Sequence, residues 1–177
     1  LYSHIIKQIG YKLAGIVHAW NIIKDWEQSW ESLDINSYLS YYDENFKNDG
    51  KDKRAWASYK KRVNSRKKYV KVELKDTQII PYGKTDFGYV FLVDTIQDYD
   101  SNDLKSTTRK NIYLVKNNGV FKIIGEQVSN PDKFHKGRTT NCKISFFNPQ
   151  RTFFIPEFVV NFQEHPANNS VLRLLDP

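Results

Sequence analysis

The chain has 177 residues, 40% hydrophobic and 15% aromatic, with 11 Tyr and 11 Phe, which excludes wholesale disorder and is enough for one domain with a proper core and an appendage. No apolar run approaches the roughly 20 residues that a membrane-spanning helix needs, and the single cysteine, Cys142, excludes an internal disulfide and any multi-cysteine zinc site. The net charge of +7 is concentrated, because residues 51–75 hold 11 Lys or Arg against Asp52 and Glu73, a local +9 that leaves −2 for the rest; one basic face with a polyanionic neighbour is expected.

Residues 1–32 read as helix. Apolar residues recur at Ile5, Ile9, Leu13, Ile16, Trp20, Ile23, Trp26 and Trp30, the three-and-four spacing of a single helix face. Gly10 and Gly15 each cost about 1 kcal/mol against Ala in a helix interior. Residues 1–12 are therefore expected to be a linker or helical extension, with the domain proper over 13–128. The chain starts at Leu1 and contains no Met, so a piece of a longer product, its leader already removed, is expected.

From Trp26 to Phe46 the same spacing continues through Trp30, Leu33, Tyr38, Leu39, Tyr42 and Phe46, with a break of phase at Ser32-Leu33-Asp34. Two helices meeting at a corner are predicted. Asp34 is suited to cap the second, since its carboxylate accepts unpaired backbone N–H groups at the positive helix end. After a polar turn at 48–52, a third helix is predicted over about 53–67. It places Trp56, Tyr59 and Val63 inward and Arg54, Lys60, Lys61, Arg62, Arg66, Lys67 and Lys68 on the other face. The plainer explanation of that basic face is solvation.

From Tyr69 the period changes to two: Val70, Val72 and Leu74 alternate with Lys71, Glu73 and Lys75, marking a strand with one wet face. This strand is predicted to end in a turn at Pro81-Tyr82-Gly83. Further strands are predicted over about 87–99, 106–116 and 120–127, with turns at Asp100-Ser101-Asn102-Asp103 and Asn117-Asn118-Gly119; the latter is a strong hairpin signal because these residues tolerate positive φ. Three helices followed by four antiparallel strands make a segregated α+β pattern, and a twisted sheet of that kind can curl round the helices into a cone with one open mouth. Residues 129–177 hold five of the six prolines and are expected to form an arm, packed on the cone or on a partner. Residues 143–147 and 151–162 are candidate edge strands, Pro156 barring a central position for the second.

The run Trp30, Asp34, Tyr38-Leu39, Tyr42, Phe46, Trp56 and Tyr59-Lys60-Lys61-Arg62-Val63 resembles the NTF2-like (SnoaL-like) superfamily. More narrowly, it is similar to the NTF2-like domain appended to bacterial L,D-transpeptidase or L,D-carboxypeptidase cell-wall enzymes. Further matches are Ile80-Pro81-Tyr82, Gln97-x-Tyr99-x-Ser101, Lys110-Asn111-Ile112-Tyr113-Leu114 and Gly119-x-Phe121-Lys122-Ile123-Ile124-x-Glu126. The resemblance covers about residues 16–126 and leaves the tail unaccounted for. It implies a cone with a pocket inside, dimerisation through the sheet, and an accessory role beside a peptidoglycan-modifying domain in the bacterial envelope, extracytoplasmic and periplasmic. Pocket residues are then expected at Trp26, Trp30, Tyr38, Tyr42, Trp56 and Tyr59. The His-Gly-Cys cluster of the transpeptidases is missing; 134–138 and 141–143 mimic it only superficially.

A cone pocket can also be an enzyme site of the isomerase or dehydratase kind, which needs a carboxylate with a raised pKa opposite a Tyr. Asp94, Asp98 and Glu126, with Tyr38, Tyr42 and Tyr113 as donors, are the candidates; a structural role explains each more simply. His18 reads as a packing residue, and no His, Asp or Glu cluster has metal-ligand spacing. Gly83-Lys84-Thr85 lacks the upstream glycine of a phosphate loop, since residue 78 is Gln78. Nucleic acid is set aside because Trp56 and Tyr59 are committed to the core. Three readings follow: a non-catalytic module, without cofactor, that binds or positions an anionic polymer of the peptidoglycan type or a partner protein; a small-molecule enzyme; and an interaction domain docking through its tail.

Overall fold

The computed structural model describes residues 2–129, 160–163 and 171–174, with side chains described from Gly10 to Val128. Helix α1 (Tyr2–Glu31) ends at a corner where Leu33 takes positive φ, and α2 (Ile35–Ser40) follows. Asp34 caps α2 as its sequence position predicts: one carboxylate oxygen accepts from Asn36 N at 3.0 Å and Ser37 N at 3.1 Å. The predicted helix does not continue to Phe46. Tyr42–Asn48 is a strand, β1, followed by the two-residue strand β2 (Lys51–Asp52). A spacing of four satisfies a strand as well as a helix, since i and i+4 share a face in both, and Tyr42 and Phe46 are buried on one side of β1. Pairing settles the choice: β1 runs parallel to β6 (Val120–Ser129), and Tyr41 O accepts from Ile123 N at 2.7 Å.

Helix α3 (Lys53–Asn64) is capped by Asp52, which accepts from Ala55 N at 2.8 Å. Strand β3 (Val70–Thr85) runs straight through the predicted turn at Pro81-Tyr82-Gly83. There the register with β4 (Gly88–Ser101) shifts, and the chain reverses at Asp86-Phe87 instead. A proline that cannot donate is accommodated by such an irregularity. Strand β5 (Lys105–Asn117) turns into β6 through Asn118 and Gly119, both at positive φ, as the Asn-Asn-Gly signal requires.

Strands β7 (Val160–Gln163) and β8 (Val171–Leu174) extend the sheet beyond β3, giving the order β2-β1-β6-β5-β4-β3-β7-β8. All neighbours are antiparallel except β1 and β6. β7 falls at the end of the candidate strand 151–162, whose other residues, with 143–147, lie outside the described residues. The helices fill the concave face of the sheet, giving the α+β cone. Its core joins Trp26, Tyr38, Tyr42 and Phe46 to Val72, Val93, Ile112, Leu114 and Ile123. Gly15 lets α1 approach β4: a Cβ there would lie 2.8 Å from Cζ of Phe91. That close contact, invisible in the sequence, explains a glycine inside a helix.

Candidate functional site

Alternation along β5 puts Lys110 on the same side as Ile112 and Leu114, and β6 brings Glu126 opposite Ile112. Both are therefore driven into the core, where Lys110 Nζ meets Glu126 Oε2 at 2.7 Å, with side chains 3% and 2% exposed. From α3, Lys60 follows Trp56 by one turn and points inward with it. The predicted basic face thus loses one member: Lys60 is only 8% exposed, because its i,i+4 relation to Trp56 outweighs its charge in setting direction.

These three charges sit in an aromatic cage. The Lys60 ammonium lies 4.3 Å from the centre of the Trp30 ring, 4.7 Å from Trp56 and 5.4 Å from Tyr38. Lys110 lies 4.9 Å from Trp26 and 5.0 Å from Trp30. Trp30 is therefore shared by both cations, whose attraction to the ring faces partly replaces lost hydration. Tyr42 Oη donates its one proton to Glu126 Oε1 at 2.5 Å and accepts from Trp26 Nε1 at 3.1 Å and from Tyr38 Oη at 2.5 Å.

The electrostatics follow from burial. Burial alone would push the Glu126 carboxyl up, but the charges of Lys110 and Lys60 and the hydrogen bonds from Lys110 and Tyr42 outweigh it and hold Glu126 below the usual carboxylate range. Burial, then the negative Glu126, raise Tyr38 and Tyr42 well above an ordinary phenol. For Lys60, burial and then the neighbouring Lys110 charge push the ammonium down to about 7, against a smaller opposing pull from Glu126. Two ammonium groups thus share one carboxylate. Among the described residues no carboxylate lies within ion-pair distance of Lys60, and the buried Trp56 Nε1 meets no hydrogen-bond acceptor.

The other candidates are dispersed. Trp26, Trp30, Tyr38, Tyr42 and Trp56 meet in the cage, whereas Tyr59 is 38% exposed at its edge, 5.6 Å ring to ring from Trp56. Arg54, Lys61, Arg62, Arg66 and Lys68 are exposed on or just after α3; Lys67 bonds Ser101 Oγ at 3.1 Å and pairs with Asp103. Glu126 is brought to Tyr38 and Tyr42, but Asp94, Asp98 and Tyr113 lie on the opposite side of the sheet. Asp94 is held by Arg109, with Nε donating at 2.8 Å, and Asp98 by Lys75 at 2.7 Å and Thr107 at 2.5 Å. Tyr113 donates weakly to Gln127 at 3.4 Å. His18 packs edge-on against Phe121, ring centres 5.0 Å apart, and no group of three or more His, Cys, Asp or Glu fit for a metal occurs among the described residues. The hidden members were Lys60, expected on the basic face although it follows Trp56 by four residues, and Lys110, which alternation places beside Ile112.

Comparison with known proteins bears on this arrangement. Residues 18–127 match the family model described as the Cds6 C-terminal NTF2-like domain. The chain belongs to the Cds6 C-terminal NTF2-like family. The match contains every residue of the cage. This NTF2-like domain is similar, at 33% identity and a TM-score of 0.58, to Bd1075 from Bdellovibrio bacteriovorus, covering 64% of this chain and 39% of that one. It is also similar, at 31% identity and a TM-score of 0.53, to the helical cell shape determining protein Pgp2 from Campylobacter jejuni, covering 60% and 38%. The chain thus spans about two fifths of the length of these relatives. An NTF2-like protein of unknown function from Pseudomonas putida KT2440 shares the fold at 16% identity and a TM-score of 0.58, covering 67% and 88%. Comparison with curated proteins returns no match. No helix among the described residues is long and apolar enough to cross a membrane.

Proposed function

We propose that this domain is a non-catalytic module of the bacterial cell envelope, extracytoplasmic and periplasmic, that binds or positions an anionic polymer of the peptidoglycan type. The single observation that carries the reading is the buried surplus of positive charge, two ammonium groups to one carboxylate, inside a ring of tryptophans. An anionic group reaching Lys60 gains a charge-assisted hydrogen bond in a low-dielectric setting, can accept from Trp56 Nε1, and relieves the cost of burying an unmatched cation. Tyr59, exposed at the edge of the cage, offers an aromatic face to a sugar ring, and the exposed Arg54, Lys61, Arg62 and Arg66 supply a longer-range field that draws a polyanion to the same helix. The family relatives support the setting, one of them being described as determining helical cell shape.

Glu126 argues for binding over catalysis. An isomerase-type base needs a raised pKa, whereas Glu126 is held ionised, ion-paired and hydrogen-bonded. Sedimentation with purified peptidoglycan sacculi tests the proposal. The wild-type chain is expected in the pellet, and Lys60→Met, shown folded by circular dichroism, in the supernatant. Absence of the wild-type chain from the pellet, or retention of Lys60→Met at the wild-type level, overturns it.

A further inference from the structure

One end of the sheet brings exposed aromatic and basic side chains together. The β3–β4 hairpin turns at Asp86-Phe87 and the β5–β6 hairpin at Asn118-Gly119, and the pairing of Tyr89 with Lys116 sets the two tips side by side. Gly88 lets their backbones close up: it has φ +127, and a Cβ there would lie 2.6 Å from Lys116 O. Thr85 Oγ1 donates to Gly88 O at 3.1 Å and accepts from Phe87 N at 3.2 Å, which holds the first tip. Helix α1 reaches the same end. It runs in the direction of β4, since Gly15 packs on Phe91 and Glu27 accepts from Leu74 N, whose partner in β4 is Gln97. Four residues back from Gly15 along the helix is about 6 Å, and two back from Phe91 along the strand about 7 Å, so Tyr11 and Tyr89 stand at one level.

We infer that this end of the domain docks on a membrane surface rich in anionic lipid headgroups. Large apolar side chains exposed singly are ordinary, but here Phe87, Tyr89 and Val120 are 42%, 58% and 54% exposed and Tyr11 74%, all at one end. Residues 11–12, 84–89 and 116–120 add Lys12, Lys84 and Lys116 against Asp86 alone. Lys84 Nζ lies 5.8 Å from the Tyr89 ring centre and Lys116 Nζ 5.3 Å from that of Phe121. Lysines of this kind lay their stems along rings and keep the ammonium at the level of lipid phosphates, while Phe and Tyr settle at the boundary of headgroup and acyl chain. Charge alone would suit any polyanion. The exposed side chains of Phe87 and Val120 have no polar atom to offer one, and they favour a partner with an apolar interior. The contact is interfacial, on the bilayer and not across it. It rests on no property of the cage. Trp30 of the cage packs on Tyr99, ten residues of β4 from Tyr89 and about 33 Å along the strand, so a domain standing on its tips holds the cage away from the bilayer.

Sedimentation of the full chain with lipid vesicles tests this. Vesicles of phosphatidylglycerol and phosphatidylethanolamine are expected to carry down severalfold more protein than vesicles of phosphatidylcholine, with the difference shrinking as salt screens the lysines. Two double variants, each shown folded by circular dichroism, separate the contributions: Phe87→Ser with Tyr89→Ser removes the rings, and Lys84→Glu with Lys116→Glu reverses the charge. Each is expected to lower retention on the anionic vesicles severalfold. Lys71→Glu with Lys105→Glu changes the net charge equally at the other end of the sheet, where Lys71 and Lys105 both pair with Asp100 across the strands, and is expected to bind as the wild type does. Failure of the wild-type chain to sediment with anionic vesicles overturns the inference. So does wild-type retention of both tip variants, or an equal fall in the Lys71, Lys105 variant.

Discussion

Replacing Lys60 with Met tests whether an unmatched ammonium is buried in the cage. Met keeps the unbranched length and apolar volume and removes the charge. The unfolded chain holds the Lys60 proton up to about 10.5, the folded chain only up to about 7. Below about pH 7 both states are protonated and the folded state bears the full cost of the buried charge. As pH rises from there, the folded state releases the proton while the unfolded state keeps it, so stability rises with pH until about 10.5. At 1.36 kcal/mol per unit of separation, the contribution between pH 7 and pH 9 is about 2 kcal/mol. Urea unfolding of both proteins at the two pH values measures it. The wild type is expected to gain about 2 kcal/mol on the variant over that interval. At pH 7 Lys60→Met should be the more stable by roughly 1–4 kcal/mol, as when buried charges yield to apolar side chains, while losing retention by sacculi. Parallel pH dependences, or a variant less stable at pH 7, would refute the buried, unmatched ammonium.

Glu126→Gln leaves Lys110 without its counter-charge and should cost about 3–5 kcal/mol at pH 7 by urea unfolding, the range for a broken buried pair. Because the folded carboxyl is held below its ordinary range, its stabilisation is present above that range and lost as pH falls through it, so the wild type should lose more stability than the variant on acidification. Gly15→Leu drives a side chain into the Phe91 ring, and its cost of about 1–3 kcal/mol exceeds the gain of about 1 kcal/mol in helix propensity. Gly10→Ala, with nothing within 4 Å of its new Cβ, should instead raise the melting temperature.

Local signals in the chain carried much of the fold. The Asp34 cap, the change of period at Tyr69 and the Asn-Asn-Gly hairpin are each decided by nearby residues, and each is found where expected. The errors lie where distant pairing chooses between local alternatives. Tyr42 and Phe46 fit helix or strand equally, and their parallel partner β6 lies some 80 residues further on. Pro81-Tyr82-Gly83 has turn chemistry, but pairing with β4 keeps it inside β3 as an irregularity within a long strand. In the site, the aromatic members were legible because interior aromatics announce themselves by spacing. Lys60 and Lys110 were not, since a lysine at an inward position is ordinarily taken as exposed. Only the cage and Glu126 explain how their charge is tolerated.

The most direct measurement is a ¹H–¹⁵N titration of the tryptophan indole signals with soluble muropeptides released from peptidoglycan. A binding interior predicts saturable shifts of the Trp30 and Trp56 indoles in the wild type and none in Lys60→Met. Indole signals that stay fixed while the exposed residues of α3 alone respond would contradict it.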